Sequence, residues 1–470
     1  MPCAIEASKR GRKVLVIEKD SKAGGTLHLT GGHMSAGGTR RQLEKGIIDS
    51  KENHFNEVME ISLNTADADL VKIATDEAPN TINWLEDLGF EFAPESPRFI
   101  YGHVPYKNPR THYSSEAGKG LLKILMPLWE KEIENGNITF LPSHTFIDLI
   151  IEQNEAIGVK CKDSNEEVSK FFIKVRPSGG FRGDRRFGAV ILTTGGYGGN
   201  PKYFAEKHPT LPPLRSTANP LCTGDGIRIA EENKLATWGF EKHIGSLGGI
   251  ELEPDSGSVD FWTAWASILT SIYRPPREIY VNIEGKRFMD ENESNADTRE
   301  RIAAEQPEQC FYMIFDEKAL AEDIPLILGW TKERIKEEAQ KNKSFFVAEN
   351  IQELAKKTDL PTEILIKTIA DFNAFVENEN DIDFGRTHLK NKVETAPFYA
   401  VKTYVSVILT FGGIKVDENL QVLNGENIVV KNLYAAGEAI GMAATSGNAF
   451  CSGMAVTPAL CFGRILGRKL

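Results

Sequence analysis

The stretch Val14-Leu15-Val16-Ile17-Glu18-Lys19 decides the fold class. Four consecutive apolar residues that end at a carboxylate are typical of a buried parallel strand whose carboxyl end faces a ligand. A helical pattern from Ala4 to Lys9 and a turn at Gly11 precede the strand, and together they predict the second half of a βαβ dinucleotide-binding unit. Glu18 then occupies the position from which such units bind ribose hydroxyls, although a solvated carboxylate at a strand end would read the same on this segment alone.

The first half of that unit, a strand followed by Gly-x-Gly-x-x-Gly, does not precede Ala4 in this sequence. The sequence opens inside the helix whose N-terminus should face the phosphates. A glycine loop donates several backbone N–H groups to phosphate, and each charge-assisted hydrogen bond contributes ~1.5–3 kcal/mol. We therefore expect this form to bind its cofactor weakly.

Paired glycines recur along the chain, and several follow short apolar runs such as the one from Ala189 to Leu192. Paired glycines mark close backbone approach or turns with positive φ. Ligands of parallel sheets bind beyond the carboxyl ends of the strands, so these glycines should surround one ligand, for which a large cofactor is the natural candidate. The pairs are Gly24-Gly25, Gly31-Gly32, Gly37-Gly38, Gly195-Gly196, Gly198-Gly199, Gly248-Gly249 and Gly412-Gly413.

The patterning changes twice along the chain. Alternating segments between Ile138 and Val175 predict an antiparallel meander. From about Thr331 to Asn378 the period becomes helical, with a continuous pattern from Ile351 to Val376 that predicts a helical insert. The strand-like, glycine-rich pattern returns at Val405, so the first architecture resumes after an interruption.

The composition indicates a large globular protein and excludes several classes of partner. The 470 residues are 41% hydrophobic, and 55 basic minus 66 acidic residues give a net charge of -11. This acidic balance argues against nucleic acid as a partner, and no apolar run approaches the ~20 residues of a membrane span. Six dispersed cysteines predict reduced thiols and a cytoplasmic location, and the nine histidines form no metal-ligand constellation, so we expect no metal site.

Five stretches carry a resemblance that extends along nearly the whole chain. The chain resembles the FAD-dependent fumarate reductase and succinate dehydrogenase flavoprotein family. This implies an α/β fold: a Rossmann-like FAD-binding domain with an antiparallel meander (residues 1–235 and a return segment, 400–470), interrupted by an α+β capping domain (236–399). The stretches are Val14-Leu-Val-Ile-Glu-Lys with Gly24-Gly-Thr, Thr193-Thr-Gly-Gly-Tyr-Gly-Gly-Asn, Thr223-Gly-Asp-Gly-Ile, Val281-Asn-Ile-Glu-Gly-Lys-Arg-Phe-Met-Asp-Glu, and Asn432-Leu-Tyr-Ala-Ala-Gly-Glu followed by Phe462-Gly-Arg.

The resemblance implies FAD as the cofactor and assigns residues to it. Glu18 would bind the adenosine ribose, Glu438 would hold ribityl hydroxyls, and the helix from Ala455 to Leu466 would point its positive N-terminal end at the flavin. An ordinary capped helix is the alternative for that last segment. The predicted cofactor residues are Glu18, Lys19, Gly25, Thr26, Thr30, Gly31, Gly32, Thr194, Gly195, Gly196, Asp225, Gly412, Gly413, Gly437, Glu438, Gly453, Ala455 and Val456.

The substrate positions depart from those of fumarate reductases. The His and Arg that bind substrate carboxylates in that family correspond here to Leu409 and Phe450. A phenyl ring cannot replace a bidentate arginine, so ordinary fumarate binding is not expected. The Thr410-Phe-Gly-Gly form, and the segment from Asp290 to Arg299, are more similar to the tricarballylate dehydrogenase and 3-ketosteroid dehydrogenase branches, which carry a tyrosine near Phe450.

Three side chains are candidates for acid, base or oxyanion chemistry. Arg299 matches the proton-donating arginine of fumarate reductases, with a surface ion-pairing role as the alternative and Arg301 as its rival. Tyr273 is similar in position to the cap tyrosine of ketosteroid dehydrogenases, and a packed core tyrosine would read the same. Ser452 would donate to substrate or flavin, although the N-cap of the following helix is the favoured interpretation. For His112 a structural role is favoured over one at the entrance.

The sequence thus predicts an FAD-dependent oxidoreductase that acts on CH-CH or C=C bonds beside a carbonyl or carboxyl group, similar to tricarballylate dehydrogenase. Its partners would be a small-molecule substrate and an unknown electron donor or acceptor. Two alternatives remain open. One is a 3-ketosteroid dehydrogenase or reductase, and the other is a noncatalytic relative that keeps the fold without the cofactor.

Overall fold

The computed structural model describes residues 1–173, 188–260, 271, 274–327 and 329–470. Helices and strands alternate along most of these ranges. The helices are α1 (Pro2–Lys9), α2 (Arg40–Glu44), α3 (Lys51–Ile61), α4 (Ala68–Asp87), α5 (Gly118–Glu134), α6 (Pro201–Lys207), α7 (Asp225–Glu232), α8 (Ala296–Ala304), α9 (Glu317–Ala321), α10 (Lys332–Lys341), α11 (Ile351–Thr358), α12 (Thr362–Glu377), α13 (Ala443–Ser446) and α14 (Val456–Lys469), with short 3-10 turns at Gly25–His28, Pro307–Gln309 and Gly437–Ile440. The strands are β1 (Val14–Ile17), β2 (Met34–Ser35), β3 (Thr111–His112), β4 (Ile138–Leu141), β5 (Thr145–Glu152), β6 (Glu155–Lys162), β7 (Val168–Phe172), β8 (Val190–Leu192), β9 (Thr237–Trp238), β10 (Ser246–Gly249), β11 (Ile279–Asn282), β12 (Cys310–Asp316), β13 (Phe345–Ala348), β14 (Phe398–Ser406), β15 (Gly413–Ile414), β16 (Gln421–Leu423) and β17 (Val429–Ala435).

A six-stranded mixed sheet lies beside the candidate site. β17 runs parallel to both β8 and β6 and antiparallel to β16. β8 is a short apolar strand, β17 ends in the apolar residues Leu433 to Ala435, and a glycine-rich turn follows each strand. Their carboxyl ends therefore bring two of the predicted cofactor segments to the same edge of the sheet.

The segment predicted as one antiparallel meander divides between two sheets. β4 pairs in parallel with β1, from Val14 opposite Ile138 to Ile17 opposite Leu141. Of the strands described in this segment, β5, β6 and β7 are the antiparallel neighbours. Alternating apolar residues identify a half-buried strand but do not distinguish its partner, which is why the sequence pattern did not separate β4 from the others.

A second sheet has five antiparallel strands in the order β10-β14-β12-β11, with β13 also paired to β14. β12 is buried along its full length, and its residues alternate between two apolar clusters. Phe311, Met313 and Phe315 face one cluster, whereas Tyr312 and Ile314 face the other. The sheet is thus covered on both faces, which explains why β12 reads as a continuous apolar run.

The predicted helical insert is more broken than its periodicity suggested. The pattern from Ile351 to Val376 forms two helices, α11 and α12, and β13 precedes them. Asp359 ends α11 in the left-handed region with φ +58°, and Pro361 follows. Proline lacks the amide hydrogen that would continue the helix, so the chain turns there.

Strand β14 crosses one of the expected domain boundaries. It runs from Phe398 to Ser406, so the expected division between residues 399 and 400 falls inside one strand of the second sheet. The three-part division of the chain stays a prediction.

The two ends of the chain pack together. α1 lies against α14, and a Cβ at Gly467 would fall 2.4 Å from the backbone oxygen of Cys3. This close approach holds the start of the chain beside the helix that follows the glycine-rich segment near residue 450. Across the described residues, no helix combines the length and apolar character needed to cross a membrane.

Candidate functional site

The residues after β1 are tied to the start of α7. Oε1 of Glu18 accepts a hydrogen bond of 2.8 Å from the backbone N–H of Asp20. Nζ of Lys19 donates to Oγ1 of Thr223 at 2.5 Å and to Oδ2 of Asp225 at 2.7 Å. The structure therefore brings Lys19, which directly follows Glu18, together with Asp225, which lies 206 residues further along the sequence.

A glycine turn follows this segment and packs against α5. Gly24 and Gly25 have φ values of +116° and +50°, a region that favours glycine. Oγ1 of Thr26 lies 3.7 Å from the Sγ atom of Cys222. The backbone oxygen of Thr30 accepts a hydrogen bond of 3.0 Å from Gly118 at the start of α5. Gly31 is half-buried, and a Cβ at Gly32 would lie 2.7 Å from the backbone of Ala117.

The turn after β8 meets the segment after β17 at Gly196. A Cβ at Gly196 would lie 2.0 Å from Oγ1 of Thr410 and 2.3 Å from Oε1 of Glu438. The backbone N–H and the Oγ1 hydroxyl of Thr410 each donate a hydrogen bond of 3.0 Å to Oε1 of Glu438. Burial raises the pKa of Glu438, and these two hydrogen bonds act against that shift. Three distant segments thus converge on one carboxyl group.

The remaining predicted cofactor residues near this point are four glycines and one threonine. Gly195 and Gly437 have φ values of +76° and +70°. A Cβ at Gly413 would lie 2.2 Å from the backbone nitrogen of Gly441, and one at Gly412 would lie 2.2 Å from the Phe240 ring. Oγ1 of Thr194 is buried and has no hydrogen-bond partner among the described residues.

The last predicted cofactor segment begins α14. This helix starts at Val456 with Ala455 as its N-cap, and no side chain caps it. Interpreting Ser452 as the N-cap was therefore wrong, because this buried serine lies three residues before the cap and its Oγ instead lies 3.1 Å from Oγ1 of Thr111. A Cβ at Gly453 would fall 2.4 Å from the backbone nitrogen of Ser35, so the chain passes β2 at close range.

A buried polar network supports this passage. Tyr106 donates a hydrogen bond of 2.8 Å to the backbone oxygen of Ser452. Arg110 is fully buried and forms hydrogen bonds with both Asp49 and Glu57. His112 is also fully buried, with Nδ1 2.8 Å from the backbone oxygen of Arg110 and Nε2 3.1 Å from Oγ1 of Thr39. Both ring nitrogens of His112 are engaged, which agrees with a structural role.

The two arginines of α8 have different surroundings. Arg299 is buried, and its Nη1 lies 3.4 Å from Oγ of Ser271. Arg301 is partly exposed and forms hydrogen bonds of 2.7 and 3.0 Å with Asp297. Burial, with the charge of Asp297 in addition, raises the pKa of the neighbouring Glu300 well above its usual value. Tyr273, the rival to Arg299, lies outside the described residues.

Phe450 belongs to an apolar cluster rather than to a polar one. Its ring centroid is 5.8 Å from that of Phe411, and the cluster also contains Ile244, Met442 and Ala443, with Leu409 packed against it. Leu409 and Phe450 therefore both belong to an apolar cluster.

Two histidines that sequence reasoning missed lie at the edge of this cluster. The ring of His103 is 5.1 Å from that of Phe450, and the ring of His33 is 5.5 Å from that of Tyr113. His33 directly follows the predicted cofactor pair Gly31-Gly32, which was a usable signal. His103 gave none, because only the fold brings it to Phe450.

Comparison with known proteins establishes the family. The family model described as "FAD binding domain" matches residues 1–454. The chain belongs to this FAD-binding family. It is 25% identical to a probable fumarate reductase, Ifc3, of Shewanella frigidimarina over 99% of the chain and 71% of that protein.

Two solved structures share the fold. One is the open conformation of a flavocytochrome c3 fumarate reductase, with a TM-score of 0.75 and 23% identity over 99% of this chain and 75% of that one. The other is 3-ketosteroid delta1-dehydrogenase from Sterolibacterium denitrificans, with a TM-score of 0.76 and 18% identity over 100% of this chain and 96% of that one. The predicted resemblance is confirmed, and with it an FAD-dependent oxidoreductase.

The residues of this family member fit FAD. Gly24 and Gly25, just after β1, have positive φ values, a backbone conformation found in the N–H concavities that bind anions such as phosphate. Gly196 keeps a Cβ out of the space beside Glu438, and Oγ1 of Thr194 is a buried hydroxyl that lacks a partner. A cofactor with many hydroxyl and phosphate oxygens satisfies such groups, whereas an apolar ligand does not.

Proposed function

We propose that the protein transfers a hydride and a proton, two electrons and two protons in all, to or from a carbon-carbon bond beside a carbonyl or carboxyl group. The observation that carries this proposal is the position of α8: it places the buried Arg299 on a helix that contacts the segment leading to Phe450 and Gly453. The predicted cofactor residues Gly453, Ala455 and Val456 continue that segment, so bound FAD would lie near Arg299. Substrate would bind between them, and a separate electron donor or acceptor would balance the reaction.

Each group of residues has a proposed task. Glu18 would bind the adenosine ribose, and Glu438 would hold ribityl hydroxyls. The N-terminal end of α14, whose first backbone N–H groups have no side-chain cap, would face the flavin. Bound FAD supplies or accepts the hydride. Arg299 would move the accompanying proton, with Tyr273 as its rival and Ser452 as a third candidate.

Substrate identity divides the proposal into two candidates. A tricarballylate dehydrogenase-like activity follows from the sequence motifs, and Arg299 would provide a cation for a carboxylate. A 3-ketosteroid dehydrogenase or reductase is the second candidate. It is supported by the apolar cluster around Phe450 and Leu409, which would lie against a hydrocarbon skeleton without desolvating a charge.

Spectroscopy and turnover test these proposals in order. The visible spectrum of the purified protein, before and after FAD is added, separates a flavoenzyme from a noncatalytic relative. Anaerobically reduced protein is then mixed with fumarate and with a 3-keto-4-ene steroid, and oxidised protein is mixed with tricarballylate and an artificial acceptor. We expect flavin to be reoxidised by the steroid or reduced by tricarballylate, and we expect little reoxidation by fumarate because Phe450 and Leu409 offer no cation to its carboxylates. A bound flavin that reacts with none of them would contradict the proposed function. The cytoplasmic location stays a prediction from the sequence.

A further inference from the structure

A cluster formed by His103, His33 and Tyr113 meets Phe450 through His103 and is not used by the proposed chemistry. His103 packs its ring against Phe450 at 5.1 Å with an interplanar angle of 30°. The next residue, Val104, forms a parallel β-bridge with Cys451, so this segment runs alongside the one that carries Phe450. His33 lies against Tyr113, and the guanidinium of Arg98 lies 4.7 Å from the centroid of the same Tyr113 ring.

His103 has an unsatisfied polar atom. Its Nδ1 is buried and has no hydrogen-bond partner among the described residues. A buried polar group without a partner costs ~1–3 kcal/mol, so such an atom in a native site calls for a ligand or a bound water. The atom therefore marks a polar position at the edge of an otherwise apolar surface.

The histidines are neutral at physiological pH. Burial lowers the pKa of His103 to about 4, and the neighbouring His33 contributes to the shift. Burial also lowers the pKa of His33 to about 4, with the positive charge of Arg98 in addition. A neutral imidazole donates one hydrogen bond and accepts one, but it does not neutralise a carboxylate.

We propose that His103 determines substrate specificity by donating a hydrogen bond to the uncharged carbonyl oxygen of an enone whose hydrocarbon or aromatic part lies against Phe450. This inference rests on the proposed function, because it assigns a substrate class to the same site. It follows from the juxtaposition of one neutral donor with the ring of Phe450, which itself packs on Phe411. An anionic alkene of the same shape would lose its hydration beside Phe450 without gaining a counter-charge from either histidine, so this substrate class belongs to the ketone-binding candidate of the proposed function and not to the tricarballylate-like one.

Two probes that differ chiefly in charge test the inference. Benzylideneacetone and cinnamate share a phenyl ring and a conjugated C=C bond, but the first ends in a ketone and the second in a carboxylate. Binding to the oxidised, FAD-loaded protein is measured from the flavin difference spectrum and from the thermal shift, neither of which needs turnover. We expect the ketone to bind at least tenfold more tightly than cinnamate.

The variants separate the hydrogen bond from ring packing. His103→Phe keeps a ring against Phe450 and removes the donor, so we expect it to weaken ketone binding about tenfold and to leave cinnamate binding unchanged. His103→Gln retains an N–H donor and should restore most of the affinity. His144→Gln is the matched control, because His144 bonds to the backbone of Pro142 away from this cluster. Melting temperatures establish that each variant is folded.

Failure of the inference and failure of the proposed function would give different experimental results. Ketone binding that is unchanged in His103→Phe, equal binding of cinnamate, or no binding of either probe would overturn the role of His103. If reduced protein reduces alkenes while His103→Phe has no effect, the inference fails and the proposed function stands. If the ketone binds in a His103-dependent way but no alkene is reduced and tricarballylate is not oxidised, the proposed function fails and the binding role stands.

Discussion

The guanidinium of Arg301 donates a hydrogen bond of 2.7 Å to the backbone oxygen of Asn448. This contact joins α8 to the segment that continues to Phe450, and Asp297 holds the same guanidinium from within the helix. Arg299 lies on the same helix, so the position of its buried side chain depends on how α8 meets that segment. Arg301 is therefore a positioning residue, and Arg299 is the candidate for proton transfer.

Arg299→Ala should lower turnover by ~10²–10⁴-fold while flavin stays bound, because general acid catalysis contributes about that much. Arg299→Lys keeps the charge but loses the planar fork and should retain part of the activity. Flavin content is measured from the absorbance of each variant. Turnover is measured with the substrate that reacts with the flavin in the spectroscopic test of the proposed function. A melting curve shows whether the buried substitution has unfolded the protein.

Arg301→Ala and Tyr273→Phe serve as comparisons. We expect Arg301→Ala to raise KM more than it lowers kcat, since it loosens the contact of α8 with Asn448. If Arg299→Ala keeps near-normal turnover while Tyr273→Phe or Arg301→Ala abolishes it, the proton donor has been assigned to the wrong position. If all three variants stay active, Ser452 or water becomes the candidate.

Phe450→Arg should improve the use of a small dicarboxylate and impair any bulkier native substrate. The substitution introduces a guanidinium, which can bind a carboxylate through two hydrogen bonds, at a position that now belongs to an apolar cluster without a cation. Fumarate reduction is compared before and after the change, with Phe450→Leu as an apolar control that should not gain it. Robust fumarate reduction by the unmodified chain would contradict the role given to Phe450.

Much of the fold was predictable because local patterns carried it. The apolar run of β1, the helical period of α1 and the glycine turns after β8 each indicated their structure without reference to the rest of the chain. Which strands pair with each other was less predictable. β4 alternates like its neighbours, yet it pairs with β1, and that choice depends on which strands pack together rather than on the sequence of β4.

The residues of the candidate site were also predictable only in part. Gly196 and Glu438 stand in recognisable motifs, so their close approach followed once the motifs were joined into one fold. His103 belongs to no motif and meets Phe450 only through the Val104 to Cys451 bridge. Ser452 looked like a helix cap by residue type, whereas the helix begins four residues later at Val456.

Gly196→Ala should greatly weaken FAD binding and destabilise the protein by ~1–3 kcal/mol. Its Cβ would meet Thr410 and Glu438 at distances that no real contact allows, and its φ is not positive, so the effect is steric. FAD affinity is measured by titration and stability by denaturant unfolding. Gly463→Ala is the control, since its Cβ meets nothing closer than 3.4 Å and alanine favours a helix interior. Equal effects of the two substitutions would contradict a specific role for the space beside Glu438.

Stability of the second sheet should depend on acid pH through Glu278. Burial alone would raise the pKa of this carboxyl, but two hydrogen bonds of 2.9 Å from Arg274 hold it at about 2. A depressed pKa stabilises the folded state above the unfolded value of 4.5, and this contribution is lost as the pH falls through about 2. Glu278→Gln should therefore cost ~3–5 kcal/mol at pH 7, where it leaves Arg274 buried without its counter-charge. The difference between wild type and variant should shrink steadily from pH 4.5 towards pH 2, as measured by denaturant unfolding at each pH. Exposed Glu426→Gln should show no such trend, and a difference that stays constant over this range would exclude Glu278 as the source of the acid sensitivity.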